Sequence, residues 1–243
     1  MESVKKMSQN TVIKTLQLQG MFSLNMRNID ELFPGFAPGD FAVIYGSPSV
    51  TSLTSLLCVR AQLPIQLGGL SSNVIFVDGG NTFQLYQVAR LAQIHQLDPR
   101  QALERIHISR AFTAYQMTAL IMDYLKAAVE RFNAKLVIIS DIAGLFLDKD
   151  IPGEEARRVY SQVTAYLQNF ARENRVILLA TCPPRQSNSR SLYLHALTCG
   201  RASVVIALRQ TKYDREFALE KHPHFVLGSA EFPSSNLTLT EFM

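Results

Sequence analysis

Residues 41–53 read FAVIYGSPSVTSL, and this stretch decides the fold. Its first five residues lack the polar alternation of a half-exposed strand, which indicates a strand buried on both faces. Gly46 and a short Ser/Pro segment follow, and the apolar spacing after them predicts an amphipathic helix over residues 53–62. A buried strand, a tight loop and a helix in this order form the first unit of an α/β fold.

The same order of elements is repeated along the chain. Two helix starts are marked clearly, because Thr113 begins a capping box and Asp98 is an N-cap residue before a proline. Alternating strands and helices predict a mostly parallel central sheet with helices on both faces. The further strands are predicted at residues 74–78, 106–109, 136–140 and 176–181, and the further helices at 83–96, 99–105, 114–132 and 155–173.

The C-terminal third has a different pattern. A Pro/Ser/Asn/Arg-rich loop is predicted from residue 183 to about 191. Apolar runs at 202–208 and 217–219 then flank a polar turn at 210–214, which predicts an antiparallel hairpin at the edge of the sheet. No repeat or linker divides the chain, so we expect an N-terminal extension over residues 1–25 and a single core domain over residues 26–243.

Composition narrows the class of protein. The chain has 243 residues, and its hydrophobic fraction of 47% is ample for a large core. The net charge of +4 permits contact with nucleic acid without requiring it. Three widely spaced cysteines disfavour a disulfide framework or a zinc site. No run of about 18 apolar residues and no secretory signal is present, so we expect an intracellular protein, cytoplasmic or nuclear, with no membrane partner.

The loop after the first strand has the layout of a phosphate-binding cradle. In the pattern GxxxxGK[ST], the backbone N–H groups surround the phosphates, the lysine neutralises their charge and the hydroxyl binds magnesium. Here no lysine or arginine occurs between Arg27 and Arg60, and Arg60 should point away from the loop. Two interpretations remain, a strand-to-helix turn capped by Ser and Thr or a weak anion site. The loop residues concerned are Gly46, Ser47, Ser49, Thr51 and Ser52.

From about Asn28 to about Phe225, the order of segments resembles the core of the RecA/RadA recombinase superfamily, and in particular its archaeal and eukaryotic branch. The resemblance implies a RecA-like P-loop NTPase core. It is carried by IDEL at residues 29–32, PG at 38–39, QLPI at 62–65, GG at 68–69, VD at 77–78, TF at 82–83 and RAF at 110–112.

The sequence departs from that family at the positions that bind and hydrolyse ATP. Gly80 stands where the resemblance implies a catalytic glutamate, and glycine cannot act as a general base. The Walker B aspartate corresponds to Ser140, with Asp141 one residue late, and the sensor glutamine corresponds to Pro183. Together with the missing lysine, these four changes predict a pseudo-ATPase with no catalytic residue, no metal and no ATP or magnesium cofactor.

The resemblance also implies two DNA-contacting segments. They correspond to residues 149–158 and 183–193, with Tyr193 as a candidate stacking ring. The alternative is that these residues form a solvated helix face and a flexible loop. The basic candidates for DNA contact are Lys149, Arg157, Arg158, Arg185 and Arg190.

Three functions remain open at this point. The first is a non-catalytic paralogue that binds a recombinase, single-stranded DNA or both, and assists recombination and repair. The second is a RecA-fold scaffold or signalling module outside recombination, since a fold does not fix a function. The third is an unusual ATPase to which a neighbouring subunit supplies the missing cation.

Overall fold

The computed structural model describes residues 20–182, 188–210 and 215–232, in which eight strands form one sheet. Short 3₁₀ turns lie at Ile65–Leu67 and Gly144–Leu147, and a π-helical segment lies at Leu120–Tyr124. In chain order the elements are α1 (Arg27–Leu32), β1 (Phe41–Gly46), α2 (Ser49–Arg60), β2 (Asn73–Asp78), α3 (Leu85–Ile94), α4 (Pro99–Glu104), β3 (Ile106–Arg110), α5 (Ala114–Ala119), α6 (Leu125–Phe132), β4 (Ala134–Ser140), α7 (Gly153–Asn174), β5 (Ile177–Cys182), α8 (Ser189–Arg201), β6 (Val204–Gln210), β7 (Arg215–Lys221) and β8 (Gly228–Glu231).

The strand order is β3-β2-β4-β5-β1-β6-β7-β8. The pairs from β3 to β6 are all parallel, whereas β6–β7 and β7–β8 are antiparallel. β1 therefore lies in the middle of the sheet, between β5 and β6. The predicted α/β class, with a mostly parallel sheet and a C-terminal antiparallel hairpin, is confirmed.

Alternation along β1 assigns its side chains to the two faces of the sheet. Ala42 and Ile44 are fully buried and pack in a core with α1 to α4. Val43 and Tyr45 point to the opposite face and pack in a second core with α5 to α8. Because both faces are covered by helices, β1 has no solvent-facing side, which explains its uninterrupted apolar sequence.

Most predicted elements lie within about two residues of their observed positions. α2 is an exception, since it begins at Ser49, four residues before the predicted start at 53, and is buried on nearly every side rather than amphipathic. Asp98 and Thr113 cap their helices as predicted, accepting hydrogen bonds from Gln101 N and Gln116 N. The turn of the predicted hairpin, residues 211–214, lies outside the described residues.

Two elements were not predicted. α8 begins inside the loop predicted to about residue 191 and continues over residues 192–201, where no element was predicted. Asn188 caps it by accepting a hydrogen bond from Ser191 N at 2.7 Å. β8 adds a third antiparallel strand beyond the hairpin. Both are held mainly by packing against their neighbours rather than by a strong local pattern.

The segment before α1 packs into the core. Phe22 and Leu24 are fully buried, and Phe22 forms an antiparallel bridge with Phe36. The predicted boundary between extension and core, after residue 25, therefore falls inside a packed segment. Residues 1–19 of that extension lie outside the described residues.

Arg60 holds this segment in place and is only 1% exposed. Its guanidinium donates to Ser23 O and Leu67 O, both at 2.9 Å, and to Ser23 Oγ at 3.3 Å. Burial lowers the pKa of Arg60 to about 10, against an opposing effect of Asp30, so the side chain is charged at neutral pH. It points away from the loop after β1, as predicted.

We expect Arg60→Met to lower the free energy of unfolding by about 3 kcal/mol, because the carbonyls of Ser23 and Leu67 would lose their donors. The measurement is urea denaturation followed by circular dichroism. The matched control is Arg158→Met, an exposed arginine on α7, which should change stability by less than about 0.5 kcal/mol. Equal effects of the two changes would contradict this role of Arg60.

Candidate functional site

The loop after β1 is short. β1 ends at Gly46 and α2 begins at Ser49, so only Ser47 and Pro48 connect them. Gly46 has a φ of +115°, and a Cβ atom there would clash with Leu208 O of β6. Glycine is therefore required at this position by backbone conformation and by the approach of β6, with no need to invoke a phosphate.

The backbone donors of this loop are all directed to acceptors of the protein itself. Ser47 N donates to Leu208 O at 2.8 Å, and Ser49 N donates to Ser47 Oγ at 3.3 Å. Val50 N donates to Ser47 O at 3.1 Å and Thr51 N to Pro48 O at 3.2 Å, while Pro48 has no N–H. A phosphate cradle needs several such donors converging on one anion.

The loop side chains also complete local turns. Ser47 Oγ accepts the Ser49 N–H, and Ser49 itself is 8% exposed. Thr51 O accepts from Thr54 Oγ1 at 2.9 Å and Ser55 Oγ at 3.0 Å, while Thr51 and Ser52 are partly exposed. These bonds follow a strand-to-helix turn in which Ser47 Oγ accepts one N–H of the first helical turn, while the N-cap residue Pro48 has no side-chain cap.

At the end of β2, Asp78 organises the following loop and is 1% exposed. Its carboxylate accepts from Thr82 N at 2.8 Å, Phe83 N at 3.2 Å and Ser140 Oγ at 2.6 Å. Arg110 Nε lies 3.7 Å from its Oδ2. Ser140, which the family resemblance places at the Walker B position, therefore binds a neighbouring carboxylate as a hydroxyl donor.

Asp141 occupies the space beside Gly80. Its φ is +46°, and its carboxylate accepts from Gly144 N at 2.9 Å while its own N–H donates to Thr181 Oγ1 at 2.9 Å. A Cβ atom on Gly80 would lie 2.9 Å from Asp141 Cβ, so a larger side chain does not fit there without movement. Burial, with the nearby Asp78 as a smaller cause, raises the pKa of Asp141.

The polar groups at these positions are bonded within the protein. The loop donors have internal acceptors, Ser140 is bonded to Asp78, and Asp141 is bonded within its own turn. Among residues 20–182, 188–210 and 215–232, no group of three or more His, Cys, Asp or Glu side chains could hold a metal ion.

The described parts of the two predicted DNA-contacting segments, residues 149–158 and 188–193, contact each other. The guanidinium of Arg190 donates to Asp148 O at 2.8 Å and Ile151 O at 3.1 Å, so it joins the start of α8 to the residues before α7. Arg157 lies over the ring of Tyr193, 5.1 Å from its centroid. The structure thus gives Arg190 and Tyr193 intramolecular partners, a role that the sequence did not indicate.

The other basic candidates differ in their accessibility. Lys149, Arg157 and Arg158 are exposed, beside the exposed acidic residues Asp148 and Asp150. Arg185 lies outside the described residues, as does Pro183 at the sensor position. The charge of the described part of this surface is therefore mixed.

The topology and the two-faced core define a RecA-like α/β core domain. The family model Rad51 matches residues 21–189, which is more than half of the chain, and the chain therefore belongs to the Rad51 family. This confirms the superfamily that the sequence motifs indicated, and the family gives the chain a general role in DNA recombination and repair, with DNA and recombinase-type interactions. No helix among the described residues is long and apolar enough to cross a membrane.

We expect Gly46→Ala to lower the free energy of unfolding by about 3 kcal/mol, because the new methyl group meets Leu208 O and the positive φ is strained. Thermal and urea unfolding provide the measurement. Gly200→Ala in α8 is the matched control, since its methyl group has open space, and stability should stay unchanged or rise by up to about 1 kcal/mol. A tolerated Gly46→Ala would show that β6 does not approach this closely.

Proposed function

We propose that the chain is a Rad51-family protein that neither binds nor hydrolyses ATP and that assists recombination and repair by binding a recombinase, single-stranded DNA or both. The observation that carries this proposal is the closed loop after β1, where the N–H groups of Ser47, Ser49, Val50 and Thr51 have intramolecular acceptors. A ligand would have to break these bonds before it gained any of its own.

Charge supports the same conclusion. Residues 28–59, which contain the loop and most of α2, have no lysine or arginine, whereas Asp30, Glu31 and Asp40 are acidic. A triphosphate brought to this loop would find no cation on the loop or in the first three turns of α2, and desolvating several negative charges without compensation is strongly unfavourable. Arg60 does not provide one, because its donors are directed to Ser23 and Leu67.

The position expected to activate water for hydrolysis also lacks a suitable side chain. Hydrolysis needs a carboxylate within reach of the attacking water. Gly80 has no side chain, and the neighbouring Asp141 is held in its own turn by Gly144 N. These features support loss of turnover even where a nucleotide is supplied with magnesium.

The proposed binding of DNA or a recombinase rests on the family and on the surface near α7. Lys149, Arg157 and Arg158 are exposed, and Arg190 joins the start of α8 to the residues before α7. Neighbouring acidic side chains offset this charge. Binding of single-stranded DNA through these residues should therefore be modest and sensitive to salt.

Calorimetry with ATP and Mg²⁺ tests the loss of nucleotide binding, with phosphate release as a second readout. We expect no binding heat and no turnover. We also expect Ser52→Lys to remain inactive, because a lysine restores the cation and not the N–H donors. An active ATPase of the same superfamily is the positive control. Saturable heat or turnover in the wild-type chain would contradict the proposal.

Fluorescence anisotropy with a labelled poly-dT oligonucleotide at low salt tests the DNA surface. We expect Arg157→Ala/Arg158→Ala to weaken binding severalfold and to reduce the slope of log K against log salt by one to two, as roughly one or two phosphate contacts are lost. Arg90→Ala, an exposed arginine on α3, is the control for charge alone and should have little effect.

Affinity capture from the native host complements this measurement, and we expect a recombinase among the captured proteins. Absence of both DNA binding and a recombinase partner would contradict the accessory role. Partners outside DNA metabolism would instead favour a scaffold.

A further inference from the structure

A cavity of about 570 Å³ lies between α8 and the antiparallel strands β6 and β7. It is on the face of the sheet opposite α2. The volume is in the range of pockets that bind small molecules. Its lining combines apolar side chains with a thiol, an imidazole, a carboxylate and an ammonium group, from Leu192, His195, Ala196, Cys199, Val205, Glu220 and Lys221.

Cys199 and His195 face this cavity as a pair. They are one turn apart on α8, and His195 Nε2 lies 3.5 Å from Cys199 Sγ. Cys199 is partly exposed, whereas Cys58 and Cys182 are fully and almost fully buried. Burial raises the pKa of the Cys58 and Cys182 thiols well above the usual value, so neither of them should form a thiolate readily.

Lys221 brings one positive charge close to Cys199, which favours a thiolate and opposes the partial negative charge of the helix C-terminus. Lys221 Nζ donates to Cys199 O at 3.1 Å and Gly200 O at 2.8 Å, which places an ammonium beside the cysteine at the C-terminal end of α8. The carboxylate of Glu220 also faces the cavity. It accepts from Arg209 and from the hydroxyl of Tyr45, both at 2.6 Å, and because Arg209 also pairs with Glu216, its charge is offset only in part.

The His195 ring is fixed in position. Tyr45 packs against it edge to face, with the ring centroids 4.5 Å apart, and His195 is 8% exposed. Tyr45 is in turn held by Glu220, so the imidazole keeps its orientation towards Cys199. On the elements packed against α8, burial raises the pKa of Tyr160 and Cys182, so both side chains are neutral at physiological pH.

From this arrangement we infer that Cys199 is a modification site for small disulfides, with His195 as the proton acceptor and the cavity as the space for the incoming group. His195 Nε2 takes the thiol proton, and the Cys199 thiolate attacks one sulfur of the disulfide. A new S–S bond forms on Cys199 as the disulfide bond of the reagent breaks. The departing thiolate takes the proton from the imidazolium and leaves as a thiol.

The test uses 4,4′-dithiodipyridine as the small disulfide, with the native full chain and mass spectrometry to locate the modified residue. We expect one thiol per chain, Cys199, to react rapidly with the reagent. The other two thiols should react only after denaturation. The rate should fall by much less than tenfold per pH unit between pH 8 and pH 6, because His195 supports the thiolate below the ordinary thiol pKa of about 8.5.

His195→Asn should slow the reaction at pH 7 by at least about tenfold and restore a tenfold fall per pH unit, as expected for an unassisted thiol. Cys199→Ser should abolish the rapid reaction. Thermal melts of both variants check folding, and the wild-type stoichiometry and pH profile test the proposal without any variant. Reaction at Cys58 or Cys182 first, no rapidly reacting thiol, or an unchanged rate and profile in His195→Asn would overturn it.

Discussion

Strand β6 approaches the end of β1 so closely that the carbonyl oxygen of Leu208 occupies the place where a side chain at position 46 would lie. The same oxygen accepts the Ser47 N–H at 2.8 Å, so the chain turns immediately after Gly46. α2 can then begin at Ser49, and its first N–H groups bond back to Ser47 and Pro48. One backbone contact between neighbouring strands thus determines the length of the loop and the direction of its donors.

Polar residues at the ends of β2 and β4 likewise make hydrogen bonds within the protein. In an active ATPase of this superfamily, the polar residues at these strand ends serve the nucleotide, metal and water. Here Asp78 holds the loop that leads to α3, Ser140 donates to Asp78, and Asp141 fills the space beside Gly80. Each polar group has a partner within the protein, which is what a buried strand end requires when no ligand is bound there.

Much of the fold could be predicted because the strands are uninterrupted apolar runs and several helices have clear N-caps. α8 could not, since a Pro/Ser/Asn-rich segment precedes it and its main signal is the single cap at Asn188. At the site, the missing lysine and Gly80 could be read directly from the sequence. The closure of the loop could not, because it depends on Leu208, which is distant in sequence. The same holds for Arg190, whose acceptors before α7 appear only in three dimensions.

A structure determined with excess ATP and Mg²⁺ tests the central claim most directly. The account predicts that the hydrogen bonds from Ser47 N to Leu208 O and from Val50 N to Ser47 O persist, with no triphosphate density beside residues 46–53. Density for a triphosphate at this loop, with those N–H groups turned towards it, would contradict the account.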